Sequence, residues 1–292
     1  TADILKALGV TDKLVGSHAS LEDHPMYPEL TGIPSVATYS EVNLERLAET
    51  MPQVVFSSVR SHGVIGEQEQ LQGFGIKDIK LNLRNPEKIK DEVLLLGKIF
   101  DKETEAEKLV DFYDRMEQFI ASRVEQLEPE ERKRVFVEYH AGNFMTGAPD
   151  SRFYGQVVLA GAYNIAEPLS GEPEVSAEWV AEHNPDAIVR EVTGFGYDVH
   201  SDEQAEAIFD EIMSRPGLAG TYAVQNEAVY LLSTEIYSRP GYIVGVSYLA
   251  KWLYPDLFED FDPEEVHKQY LELVHPGIPY QGLWAYSGAE RD

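Results

Sequence analysis

Three arginines stand where a short apolar run gives way to a loop. Arg60 follows "QVVFSSV", Arg190 follows "DAIV", and Arg239 lies in "TEIYSRPG" just after "AVYLLS". A guanidinium offers a planar fork of donors that fits carboxylate or catecholate oxygens, and it keeps its charge at any working pH. The chain carries only 24 basic residues against 51 acidic ones. A cluster of such forks in that background would be a local attractor for an anion. The alternative pairs each arginine with a nearby carboxylate, such as Glu138, Glu191 or Glu235. The same loop positions hold His62, then Tyr139, His140, Phe144 and Met145, then Phe195 and Tyr197, and finally Tyr237. Tyr phenolate and imidazole both bind ferric iron. With 16 tyrosines in the chain, packing or hydrogen bonding to a ligand is the better expectation for these side chains than ligation. His18 and His24 sit in a Pro-rich stretch and read as surface residues. No His-x-x-x-His pair falls on a helical pattern, and no resident metal site is expected.

Other chemistries are excluded more simply. There is no Cys, hence no disulfide, thiolate metal site or Cys nucleophile. No Gly-x-Ser-x-Gly elbow, phosphate loop or dinucleotide fingerprint occurs, and no catalytic residue is nominated. A cleft enzyme with two opposed acids is a distant alternative. A net charge of −27 argues against a nucleic-acid partner, which would call for a basic face. No apolar run reaches the roughly 20 residues that span a bilayer. No basic leader precedes a hydrophobic segment, so no signal peptide is visible.

The elements that must position these residues announce themselves by repetition. Residues 43–56 read "NLERLAETMPQVVF" and residues 176–189 read "SAEWVAEHNPDAIV". Each opens on an N-capping residue, runs through a short amphipathic helix, breaks at Pro and ends in an apolar strand. Around both copies helices and strands alternate, the pattern of parallel sheets with crossover helices. Between them, residues 86–127 keep apolar positions at helical spacing, with Gly97 and "FDKET" as points of division. The expected architecture is α/β. Two Rossmann-like lobes, 1–85 and 128–292, enclose a ligand cleft and are joined by one long backbone helix over 86–127. In such folds ligands gather beyond the carboxyl ends of the strands, the positions named above.

Six segments carry a resemblance: "ILKALGVTDKLVG", "NLERLAETMPQVVF", "LLGKIFDKETEAEKL", "VSAEWVAEHNPDAIV", "AVQNEAVYLLS" and "RPGYIVGVSYLAKWLYPDLF". In their order they resemble the class III substrate-binding proteins of ABC importers, which capture ferric siderophores, haem or cobalamin. The resemblance implies a monomeric extracytoplasmic carrier, secreted or lipid-anchored, with no cofactor of its own and little hinge motion. It implies a small-molecule metal chelate as ligand, here a ferric siderophore or related iron chelate, with cobalamin or haem as the alternative. It also implies a signal or anchor segment upstream of Thr1, and an ABC permease as partner, met by a Glu on the outer face of each lobe. The positional matches are Glu67 and Glu69 in the first lobe and Glu235 in the second. Two features depart from the family: its first strand is missing before Thr1, and the tail after His275 has no counterpart.

Overall fold

The structure, a computed structural model, describes residues 1–58, 68–139 and 144–290. Its contacts divide the chain into two units. The first comprises Thr1–Leu83, Glu87–Val110 and Glu272–Ile278; the second comprises Arg84–Pro86, Asp111–Leu271 and Pro279–Asp292. The α/β character and the two lobes are as the alternating pattern implied.

In the first unit, β1 (Ser17–His18) pairs in parallel with β2 (Ser35–Ala37), and β3 (Val54–Ser58) pairs in parallel with β4 (Lys77–Leu81). The Pro-rich stretch therefore also contains a strand, β2, too short to show a period. Asn43 caps the helix Leu44–Glu49 by accepting from the Arg46 amide at 2.9 Å. The segment Glu272–Ile278 joins this unit through His275, whose Nε2 lies 3.2 Å from Asp3 Oδ1. Tyr27 donates its hydroxyl to the same Asp3 oxygen. Burial alone would raise the Asp3 carboxyl. The hydrogen bond and charge of His275, with the Tyr27 bond, instead hold it well below the usual carboxylate range.

The helical stretch over 86–127 is two helices, Pro86–Ile99 and Glu103–Val124. The division falls at residues 100–102, where Asp101 takes a left-handed φ of 53°. The second helix runs 22 residues; contacts assign its residues up to Val110 to the first unit and those from Asp111 to the second.

The second unit is built on a five-stranded sheet. Its strands are β5 (Arg134–Glu138), β6 (Tyr163–Asn164), β7 (Ala187–Val192), β8 (Val229–Ser233) and β9 (Ala285–Ser287), in the order β6-β5-β7-β8-β9. The first four in that order are parallel, and β9 is an antiparallel edge. The tail after His275 thus closes the sheet. Both sequence repeats end alike, with a left-handed residue followed by Pro: Met51 (φ 48°) before Pro52, and Asn184 (φ 42°) before Pro185. A left-handed residue stops the helix, and Pro cannot continue it.

Alternation along the strands splits their side chains between two faces. Phe136, Ile188, Val192, Val229 and Leu231 pack in one cluster with Phe209 and Ile212 of the helix Glu203–Met213 and Val180 of the helix Ala177–His183. The opposite face carries the helices Gly155–Leu159, Thr234–Tyr237 and Tyr242–Leu253. On that side Gly245 allows the last two helices to touch, for a Cβ there would lie 2.2 Å from the Ile236 carbonyl oxygen. Gly245→Ala should therefore cost about 1–3 kcal/mol of stability by overpacking, more than the gain in helix propensity returns. Urea denaturation of the variant checks this, and an unchanged midpoint would refute it.

Candidate functional site

The carboxyl ends of β5, β7 and β8 bring together most of the residues nominated from sequence that the structure describes. Two buried glutamates organise them, one on each face of the sheet. Glu138, the last residue of β5, lies opposite Arg190 of β7 in the strand register and has no solvent exposure. Arg190 Nη1 sits 2.8 Å from Glu138 Oε2. Arg215 Nη1 donates to Glu138 Oε1 and Oε2 at 2.8 and 2.9 Å, and its Nε and Nη2 fork onto Glu211 at 2.9 and 2.8 Å. The Phe144 amide adds a third donor to Glu138 at 3.0 Å, which its left-handed φ of 57° makes possible. The Arg215 guanidinium lies 5.1 Å from the Phe144 ring centroid. Burial would lower the Arg215 pKa, but its bonds to Glu211 and Glu138 outweigh that and raise it. Arg190, nominated to hold an anion, therefore already faces a carboxylate, the pairing with Glu138 weighed as its alternative.

Glu191, the next residue along β7, points to the other face and is also buried. Ser238 donates its hydroxyl to Glu191 Oε1. Burial raises the Glu191 pKa; the Ser238 bond and the charges of Arg152, Arg84 and Arg239 oppose it without cancelling it. Arg239 pairs with Glu235 at 2.7 Å, so these two nominated residues hold one another. Arg152 differs from both. It makes no ion pair among the described residues, and its buried Nε has no hydrogen-bond partner. Its guanidinium lies 4.3 Å from the centroid of Phe153, a ring that also stacks on Tyr139 at 4.1 Å and 5°. Gln156 fixes this loop by donating to the Arg152 carbonyl at 3.0 Å and the Tyr237 carbonyl at 2.8 Å.

The aromatic nominees divide by burial. Tyr139, Phe195 and Tyr237 lie inside, at 3%, 5% and 0% exposure. Phe195 belongs to the helix-covered core, and Tyr237 donates its hydroxyl to the Phe153 carbonyl at 2.9 Å. Burial, and then the nearby Glu191 charge, push the Tyr237 phenol well up, which disfavours the phenolate that iron ligation needs. Phe144 and Tyr197 are half-buried. The loop of Phe195 and Tyr197 is clasped by the tail: Leu283 donates to the Gly196 carbonyl at 3.2 Å. Gly282 leaves the room, since a Cβ there would lie 2.3 Å from that oxygen. The Arg-Pro-Gly turn is anchored by Tyr113, which donates to the Pro240 carbonyl at 2.9 Å, and by Tyr242, which donates to Glu117 at 2.6 Å. Arg60, His62, Glu67 and His140 lie outside the described residues, as does the side chain of Glu69. Among the described residues no group of acidic and imidazole side chains is arranged to hold a metal ion, and no helix is long and apolar enough to cross a membrane.

Arg84 and Arg152 were not nominated from sequence. Arg84 follows β4 within "NLRN", so the strand-end rule could have found it. Arg152 lies in "PDSRFYG", well beyond its strand, and only the folding back of that loop brings it to Glu191.

A parallel sheet with ligand-competent side chains at its carboxyl ends, in a chain of two α/β units, is the build of a solute-binding protein. The chain belongs to the periplasmic binding protein family, whose model matches residues 1–235. It is a substrate-binding protein of an ABC importer of the class III type, works with a membrane permease, and is not an enzyme. Proteins of this class bind the transported ligand and carry no cofactor. It is similar to the molybdate-binding protein MolA of Haemophilus influenzae, with 24% identity over 94% of this chain and 83% of that one. A second relative is the uncharacterized ABC transporter substrate-binding lipoprotein YvrC of Bacillus subtilis, 25% identical over 88% of this chain and 78% of that protein. Among solved structures, the TroA-like periplasmic binding protein FepB of Veillonella parvula superposes with a TM-score of 0.80. At 22% identity, over 98% of this chain and 90% of that one, it shares the fold.

Two predictions follow from the paired glutamates. Glu138→Ala leaves Arg190 and Arg215 facing each other in a buried site and should cost about 3–5 kcal/mol. Arg190→Ala leaves Glu138 its Arg215 bonds and should cost less, and urea midpoints of the two variants give the order. Glu191 works differently. Its raised pKa means that the folded protein holds the proton more tightly than the unfolded chain does. Its contribution is complete below the ordinary carboxyl pKa and is lost as pH rises through the raised value. Glu191→Gln should therefore gain stability relative to the parent protein as pH rises above the ordinary carboxyl range, and parallel stability curves would contradict the assignment.

Proposed function

We propose that this protein captures an anionic metal species at the carboxyl ends of β5, β7 and β8 and delivers it to the permease of an ABC importer. The ligand is a ferric siderophore or related iron chelate with carboxylate or catecholate oxygens. The observation that carries this reading is Arg152: a guanidinium with a buried, unpartnered Nε and no ion pair among the described residues, grouped with Arg84 and Arg239 around Glu191. Arg190 and Arg239 have carboxylate partners already, so the anion-recognition role passes chiefly to Arg152. A metal oxyanion is the second reading, supported by the arginine group and by the name of the molybdate-binding relative. Cobalamin or haem draws less support, because three of the aromatic candidates are committed to packing.

The carrier works outside the cytoplasm as a monomer and meets its permease through acidic residues. Glu67 and Glu69 are the first-lobe candidates. Glu235 is the weaker one, since Arg239 holds it.

A charge-assisted hydrogen bond contributes about 1.5–3 kcal/mol. Arg152→Ala should thus weaken binding of a ferric catecholate about ten- to a hundredfold and leave the melting temperature unchanged, and Arg152→Lys should recover part of the loss. Quenching of the three tryptophans by ferric catecholate, sodium molybdate and cyanocobalamin compares the readings. Saturable quenching by cyanocobalamin alone would overturn the anion assignment.

A further inference from the structure

We propose that capture of an anion among Arg84, Arg152 and Arg239 is coupled to uptake of a proton by Glu191, the buried carboxylate beside them. This rests on the anion-binding reading above and adds a regulation to it.

Glu191 is 1% exposed, and a buried carboxylate needs positive charge or a proton. Ser238, whose hydroxyl bonds Glu191, is followed by Arg239, and Gln156 ties the Arg152 carbonyl to the Tyr237 carbonyl, so both loops meet at Glu191; the charges of Arg152, Arg84 and Arg239 favour its carboxylate. The groups that face Glu191 can be named element by element among the described residues. Arg84 comes from the connection after β4, Tyr139 from the end of β5, and Arg152 from the loop before the helix Gly155–Leu159. Tyr237, Ser238 and Arg239 come from the helix Thr234–Tyr237 and its cap, together with Glu235, which is paired to Arg239. Leu232 of β8 is its strand neighbour. Tyr139 and Tyr237 are buried and bring no positive charge. The arginines are therefore the counter-charge of Glu191, and an arriving anion competes for them.

An incoming anion would place negative charge beside Glu191 in a poorly screened interior, where like charges repel strongly. Protonation removes that conflict without moving the backbone. Ser238 permits it, because a hydroxyl that donates to a carboxylate can rotate and accept from a carboxylic acid. Both states of Glu191 then keep a hydrogen-bond partner. The balance is simple: one proton passes from solvent to Glu191 as the anion settles on the guanidiniums, and no bond other than O–H is formed.

The consequence is an affinity that falls as pH rises. Isothermal titration of the intact protein with sodium molybdate, and separately with ferric catecholate, in Pipes and in Tris at one pH measures the protons taken up. We expect a net uptake of protons on binding. Glu191→Gln should abolish the buffer dependence and bind about tenfold more tightly at pH 8, the equivalent of one unit of pKa. Infrared difference spectra of the parent protein with molybdate should show a protonated-carboxyl band on binding, so the test stands even if the variant does not fold. Binding with equal heats in the two buffers and no such band would overturn the coupling and leave the anion site intact. Proton uptake persisting in Glu191→Gln would assign the proton to another group and overturn the role of Glu191. Absence of binding by both probes would remove the anion site itself and the coupling with it.

Discussion

A carboxylate shut away from water must be met by positive charge, and in this protein that requirement falls on Glu138. Its two oxygens are shared between Arg190 from the neighbouring strand and Arg215 from beyond the helix Glu203–Met213. The strand register sets the first of these contacts, since Glu138 and Arg190 stand opposite one another. A slip of one residue in either strand would turn its side chain to the other face and separate the pair. The pair thereby penalises every other alignment of β5 and β7, the strands whose ends carry the candidate site.

The same alternation that sends Arg190 to one face sends Glu191 to the other. Two adjacent residues thus serve two purposes. One ties the sheet to its helices through the ion pairs of Glu138, and the other lies among the charges of Arg152, Arg84 and Arg239. The second group is held from behind by aromatic packing: Tyr139 on Phe153, Tyr237 bonded to the Phe153 carbonyl, and Tyr113 stacked on Tyr242 at 5.4 Å. The loops that bear Arg152 and Arg239 are therefore fixed by groups that do not depend on a ligand.

Much of this was legible in the sequence because it is local. The repeated helix-Pro-strand phrase identified two of the parallel strands, since capping residues and Pro act within a few positions. The resemblance in six segments led to the importer class. The site was only half legible. Strand ends identified Arg190 and Arg239, and even named their partners Glu138 and Glu235, but pairing against ligand binding is decided by distances that spacing does not encode. Arg152 and Arg215 escaped because each reaches its glutamate through a loop or helix that folds back from a distant part of the chain. The strand β2 and the edge strand β9 escaped for a different reason: three residues are too few to establish a period.

The tie between Asp3 and His275 bears on the order in which the protein is made. The unit that opens at Thr1 is completed by Glu272–Ile278, so its last piece is among the last to be synthesised. A chain emerging amino end first can assemble most of its second unit while the first still lacks a wall. The first unit is thus tied at both ends of the chain, Asp3 near its start and His275 in its closing segment, so a truncation before residue 272 would remove a wall from the unit farthest from it in sequence.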